Sequence, residues 1–179
     1  MKVSVKTALG GMCVALSAAV MLMSSVIPFM IYAIPGMASL LILFMMDECS
    51  KKWALGVYFC TSAVTAILVP EKEAVAIYIA LLGYYPVLKT LIDRIKLKPL
   101  RIAVKAVFFL VIITAAYLVL IFIFGISSEM LKETEKVFIP ILYVAGLAAF
   151  LLYDRALEMF ELTYYRKWQK KLRKILKVR

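Results

Sequence analysis

The chain has no histidine among its 179 residues, which removes the commonest general base and a common metal ligand. Its three cysteines, Cys13, Cys49 and Cys60, lie far apart and show no C-x-x-C spacing. They sit in or beside apolar runs and read as small buried hydrophobes, with no disulfide implied. No segment alternates apolar and polar residues over about 10 positions, the signature of a transmembrane barrel strand. There is no internal repeat and no low-complexity tract, although two sets of three apolar runs is one division the chain allows. No catalytic, cofactor-binding or metal motif is complete, so neither an enzyme nor a resident cofactor is expected. Acid is scarce too: 11 Asp and Glu stand against 22 Lys and Arg, a net charge of +11. That excess does not read as nucleic-acid binding, because the bases cluster between apolar runs and in the C-terminal tail.

What fills the chain is apolar. Hydrophobic residues make up 65% of it, against roughly 45–50% in a soluble domain. They come as long runs separated by short charged clusters, and a membrane span needs about 20 mostly apolar residues. Helices are expected, because a backbone in lipid must satisfy its own hydrogen bonds. The reading is an all-α integral membrane bundle of six helices, residues 1–163, followed by a basic amphipathic tail, residues 164–179. The spans are expected at 7–27, 28–46, 53–69, 74–92, 102–125 and 137–153, the last continuing as helix to about Tyr165. Pro86, within Gly83-Tyr84-Tyr85-Pro86, is expected to kink the fourth span. Glu71 and Glu73 are well placed for that helix's N-terminus. Lys2 and Lys6 ahead of the first run resemble a signal peptide. The run continues past signal length and a second follows at once, so it reads as a retained helix.

Orientation follows from the bases. Lys2, Lys6, Lys51, Lys52, Lys89, Arg94, Lys96, Lys98, Arg101 and Lys105 fall on one side of a six-span chain. The tail adds Arg166, Lys167, Lys170, Lys171, Arg173, Lys174, Lys177 and Arg179, making eighteen of the 22. Lys72, Lys132 and Lys136 fall opposite. Both termini are therefore expected in the cytoplasm, with the chain multi-pass in the cell membrane.

Four features bear on function. On the first span Gly11, Ala15 and Ala19 recur every four residues, with Ala8 and Ala18 near them. Small residues let membrane helices approach closely, either within the chain or against a partner subunit. At the outer rim Glu71, Lys72 and Glu73 occupy one turn; Glu129, Lys132, Glu133, Glu135 and Lys136 occupy another. Tyr32, Tyr78 and Tyr143 belong to the outer halves of their spans. Aromatic walls with a few polar groups suit a small organic ligand, while solvated loop charges and interfacial tyrosines account for the same residues without one. Asp154, Glu158 and Glu161 share one helix face beside Arg155. Seventeen uncharged residues, Val137–Tyr153, precede them, which puts the cluster at the inner interface, paired with the Lys and Arg of the fourth connection. In the tail, Trp168, Leu172 and Ile175 share a face, with Lys170, Lys171, Arg173 and Lys174 around it. That is a helix lying on anionic lipid.

In length and topology the chain resembles the substrate-binding S components of energy-coupling factor (ECF) transporters, the vitamin-uptake systems of prokaryotes. The local basis is the stretch Thr-Ala-Leu-Gly-Gly-Met-Cys-Val-Ala-Leu-Ser-Ala-Ala on the first span. In that family an Ala-x-x-x-Ala pattern on the first helix docks a T-type membrane subunit. Ala15 and Ala19 match it, and Gly11 extends it by a turn. The resemblance implies a binder of a vitamin or similar micronutrient that does not itself hydrolyse ATP, assembled with a T subunit and two ATPase subunits. The ligand would sit in the outer half, at Tyr32, Glu71, Glu73, Tyr78 and Tyr143. No motif specific to a substrate is present. A non-transporting scaffold of the cell envelope is the alternative, since the MreD cell-shape family has a similar small six-span architecture.

Overall fold

The computed structural model describes residues 3–27, 30–95, 97–124 and 135–164. Among them all regular structure is helical. We number six helices: α1 (Val3–Leu22), α2 (Ala33–Glu48), α3 (Lys51–Leu68), α4 (Lys72–Ile92), α5 (Lys98–Phe124) and α6 (Glu135–Thr163). Among the described residues two segments, Val3–Ser25 and Lys72–Ile92, are long and apolar enough to cross a membrane. Of the expected five-six turn, Glu129, Lys132 and Glu133 lie outside the described residues, as does the tail with Trp168, Lys170, Lys171, Arg173 and Lys174, whereas Glu135 and Lys136 open α6.

The first helix ends at Leu22, not Ile27, and the second and fourth helices also depart from expectation. The second helix starts at Ala33, not Pro28, and Met23–Ser25 form a tight 3-10 turn after α1. The fourth is interrupted upstream of Pro86. It runs as α-helix over Lys72–Ile77, widens to a π-turn over Tyr78–Leu82, and resumes as α-helix over Tyr85–Ile92.

The chain forms two compact units, Met1–Leu91 with Leu157–Arg179, and Ile92–Ala156. In the first unit α1 to α4 are joined by short connections and share a core built on Met21, Ile34, Ala38, Ile42, Val57 and Tyr58. α1 turns Gly10, Cys13, Ser17, Ala18 and Met21 inward. Gly10 admits close packing: a Cβ there would lie 3.5 Å from Met45 and from Val57. Ser17 Oγ lies 3.5 Å from the carbonyl oxygen of Ala38 on α2. At the α3 terminus Lys72 Nζ donates to the carbonyls of Ala66 (2.8 Å) and Val69 (3.0 Å). A cation is favourable there, where the last carbonyls of a helix lack amide partners. In the second unit Phe109 of α5 stacks on Phe150 of α6, with ring centroids 5.1 Å apart.

Outward faces are rich in large apolar side chains. Met12 of α1, Phe59 and Ile67 of α3, Val111 of α5 and Val144 and Leu152 of α6 are all exposed. Such a surface is unfavourable in water and at home against lipid or a protein partner. The cysteines are free: Cys13 is buried, Cys49 half-buried and Cys60 exposed. Cys60 thus departs from the buried role expected of it, because its position on α3 faces away from the core.

Candidate functional site

At one end of the first unit, the α1–α2 connection meets the α3–α4 turn. Tyr32, just ahead of α2, donates its hydroxyl to Glu73 Oε1 at 2.8 Å. Accepting that bond, the Glu73 carboxylate holds the phenol above its ordinary pKa, with partial burial adding to the effect. Glu71 caps the start of α4 with its carbonyl, which accepts from Val75 N–H at 3.3 Å; its side chain makes no cap bond. Tyr32 and Glu73, named separately from the sequence, are therefore neighbours on an exposed rim.

Beneath the rim lies an aromatic group that sequence reasoning saw only in part. Tyr78 opens the π-turn and is fully buried. Its ring lies 6.1 Å from that of Tyr58, and Tyr84 meets Tyr58 edge-on at 5.8 Å. A π-turn widens the helix by one residue and disturbs the regular ladder of amide–carbonyl bonds. Two tyrosines engage carbonyls within it. Tyr58 Oη donates to the carbonyl of Ile79 at 2.8 Å, and Tyr84 Oη to that of Ala80 at 2.9 Å. Gly83 closes the turn by donating its N–H to the carbonyl of Tyr78 at 2.7 Å. A Cβ at Gly83 would lie 2.7 Å from the Tyr58 ring and 2.8 Å from that same carbonyl oxygen. Only glycine fits. Tyr58 carries no sequence signal beyond being a tyrosine in an apolar run, whereas Gly83-Tyr84-Tyr85-Pro86 was visible as a break.

The small-residue series on α1 divides. Gly11, Ala15 and Ala19 are exposed, together with Thr7, Ala8, Met12 and Leu16, and a Cβ on Gly11 would meet nothing within 4 Å. Ala18 belongs to the buried face.

Two charged residues of α6, Asp154 and Glu158, stand in ion pairs. In the second unit Lys105, 2% exposed, lies 2.7 and 2.9 Å from the two carboxylate oxygens of Asp154 and 2.8 Å from Asp93 Oδ1. Arg101 Nε stands 3.7 Å from the same Asp93 oxygen. In the first unit buried Lys89 approaches Glu158 at 3.9 Å, and Tyr164 donates to Glu48. Asp154 thus pairs with Lys105 inside α5, and not with the Lys and Arg of the fourth connection itself, where its partner was expected. The burial of Lys89 and Lys105 was the part overlooked. The signal was there: each interrupts an apolar run, and an ionisable group inside such a run is rarely incidental. Tyr143 is half-buried in the second unit, where its hydroxyl and that of Thr114 are 3.2 Å apart.

These features define an all-α protein with helices able to cross a membrane, an apolar exterior, a tyrosine-lined π-turn and buried ion pairs. Compared with known protein families, curated proteins and solved structures, the chain matches none.

Proposed function

We propose that this chain is the membrane-embedded substrate-binding subunit of an ECF-type micronutrient uptake transporter. In this reading six helices cross the cell membrane with both termini in the cytoplasm, and α1 docks a T-type membrane subunit. The observation that carries it is the exposure of Gly11, Ala15 and Ala19 on a face that α1 does not use for its own packing. A helix needs one small-residue face to pack closely on its neighbours. α1 uses Gly10, Ser17 and Ala18 for that, so a second such face at four-residue spacing is suited to another membrane helix. The six-span topology draws support from the uncharged stretches Ala106–Phe124 and Val137–Tyr153 and from the apolar exteriors of their helices. The Tyr32–Glu73 rim pair supplies polar groups of the kind that orient a small ligand at a site's mouth.

The test is co-purification from native membranes. Ala15→Leu with Ala19→Leu should abolish recovery of a T-type subunit and two ATPases while leaving the thermal unfolding midpoint unchanged, because exposed substitutions cost within about 0.5 kcal/mol. Normal recovery of those partners with the double variant would remove α1 as the docking helix.

A second reading, a non-transporting scaffold of the MreD kind, is favoured by one observation: Tyr78 is packed into an aromatic cluster with no exposed surface. The same purification separates the two. Cell-envelope proteins recovered without ATPases would favour the scaffold, and the rim residues would then have no ligand to bind.

A further inference from the structure

The connection from α4 to α5 concentrates one sign of charge. From Arg94 to Lys105 the chain holds five bases, Arg94, Lys96, Lys98, Arg101 and Lys105, and no acid. Asp93, just ahead of them, lies 2.8 Å from Lys105 Nζ and 3.7 Å from Arg101 Nε. Lys98 opens α5, and the first turn of that helix holds no acid. The N-terminus of a helix carries partial positive charge, so bases gathered there are unfavourable unless an anion offsets them. Apolar residues alternate with these bases. Leu97, Pro99, Leu100 and Ile102 are exposed, as is Arg94. Leu100 also begins a stripe. Leu100, Ala103, Val107, Leu110 and Thr114 are all exposed and recur every three or four residues, which is one face of a helix. Lys105 and Phe109, on the opposite face, are buried. The outward face of α5 therefore runs without a break down to the basic connection.

We infer that residues 94–102 form a binding surface for anionic phospholipid, with headgroups on the bases and Leu97 and Leu100 set at the edge of the acyl chains. The inference rests on the membrane reading alone and holds for a transporter subunit and a scaffold alike. Arg101 is engaged by Asp93, so the charge assigned to lipid is that of Arg94, Lys96 and Lys98. Charge complementarity calls for a negative partner, and the apolar residues choose among the candidates. Free phosphate gives exposed leucines nothing to bury against. RNA would need ring faces for its bases, and no aromatic residue lies between Arg94 and Val107. An acidic protein would account for the bases but not for a stripe that continues along the outward face of α5. A bilayer supplies both in the right order, hydrocarbon along the helix and phosphate at its end. Arginine and lysine suit that boundary, since their stems are apolar and their heads reach the phosphates.

The test uses the full-length chain with Lys170, Lys171, Arg173 and Lys174 each changed to Gln, so that the connection is read without the tail. The protein would be reconstituted in equimolar phosphatidylglycerol and phosphatidylcholine, extracted in mild detergent, and its retained lipid quantified by mass spectrometry. With the native connection the retained lipid should be enriched in phosphatidylglycerol. Arg94→Gln with Lys96→Gln and Lys98→Gln should lower that enrichment at least about tenfold, since each base at an anionic surface contributes about fivefold. Extraction in about 1 M salt, where charges are screened beyond about 3 Å, should do the same with no substitution in the connection. Leu97→Ser with Leu100→Ser should reduce retention of both lipids together. Enrichment that survives both the charge variant and the salt would overturn the inference. So would loss of phosphatidylglycerol to inorganic phosphate but not to chloride of equal ionic strength, which marks a soluble-anion site. An acidic protein recovered from native membranes by the native connection alone, with no lipid enrichment, would overturn it as well. Alkaline carbonate washing of native membranes separates the two levels. A chain that stays in the membrane but shows no enrichment loses this surface only; a chain released by carbonate loses the membrane reading with it.

Discussion

Gly83 and Lys105 show how single residues constrain this fold. At Gly83 the obstacle to any side chain is twofold, an aromatic ring and a carbonyl oxygen, each under 3 Å from the site a Cβ would occupy. Gly83→Ala should therefore lower stability by about 1–3 kcal/mol, the usual cost of overpacking, measured as a fall in the unfolding midpoint. Adding Tyr58→Leu should restore only part of it, since the Tyr78 carbonyl still stands in the way. Full recovery would mean that the ring alone sets the limit. Lys105 is different in kind, a buried cation between two carboxylates. Lys105→Met keeps the length and apolar stem but leaves Asp93 and Asp154 facing each other, and removal of one partner from such a group costs about 3–5 kcal/mol. Asp154→Asn in the Lys105→Met background should return part of the loss, whereas in wild type it should be destabilising. Additive effects of the two substitutions would show that the pair contributes nothing as a pair.

At the scale of elements, α1 and α4 each put one sequence to two uses. α1 carries two sets of small residues, one turned inward and one outward. The four-residue spacing of Gly11, Ala15 and Ala19 was legible, but not which set the core would take, because Gly10, Ser17 and Ala18 have equally small volumes. α4 carries its break where Tyr78 begins the π-turn, while the visible signal, Pro86, lies eight residues on. Proline announces a missing amide; it does not say how far upstream the helix will widen.

Across the whole molecule, apolar runs and basic clusters were enough to read an all-helical chain with six helices, whereas the partner of Asp154 was expected in the fourth connection and lies inside α5. The two compact units were not foreseen: a division of four helices and two, with α6 contributing to both, replaces the three-and-three division that the runs allowed. The exposed cysteine offers a check on the membrane reading. If α3 crosses the bilayer, Cys60 faces lipid and should resist a charged maleimide in intact membranes, then react fully in sodium dodecyl sulfate. Labelling of Cys60 in sealed vesicles of either orientation would place that face of α3 in water. Cys13, buried in the core, should resist in both membranes and mild detergent.

The wide turn of α4 also bears on how the length of this chain can change. In an ordinary helix, deleting one residue rotates everything beyond it by about 100°, which on α3 would carry Tyr58 out of its place. Between Ile79 and Leu82 the chain already holds the surplus residue of a π-turn. Losing one there would tighten the turn to a regular one, leaving the Tyr58 hydroxyl without its carbonyl and otherwise sparing the helices on either side. Related chains that differ by a single-residue gap should therefore carry it at this turn, and a tyrosine at the position of Tyr58 should disappear from the shorter ones.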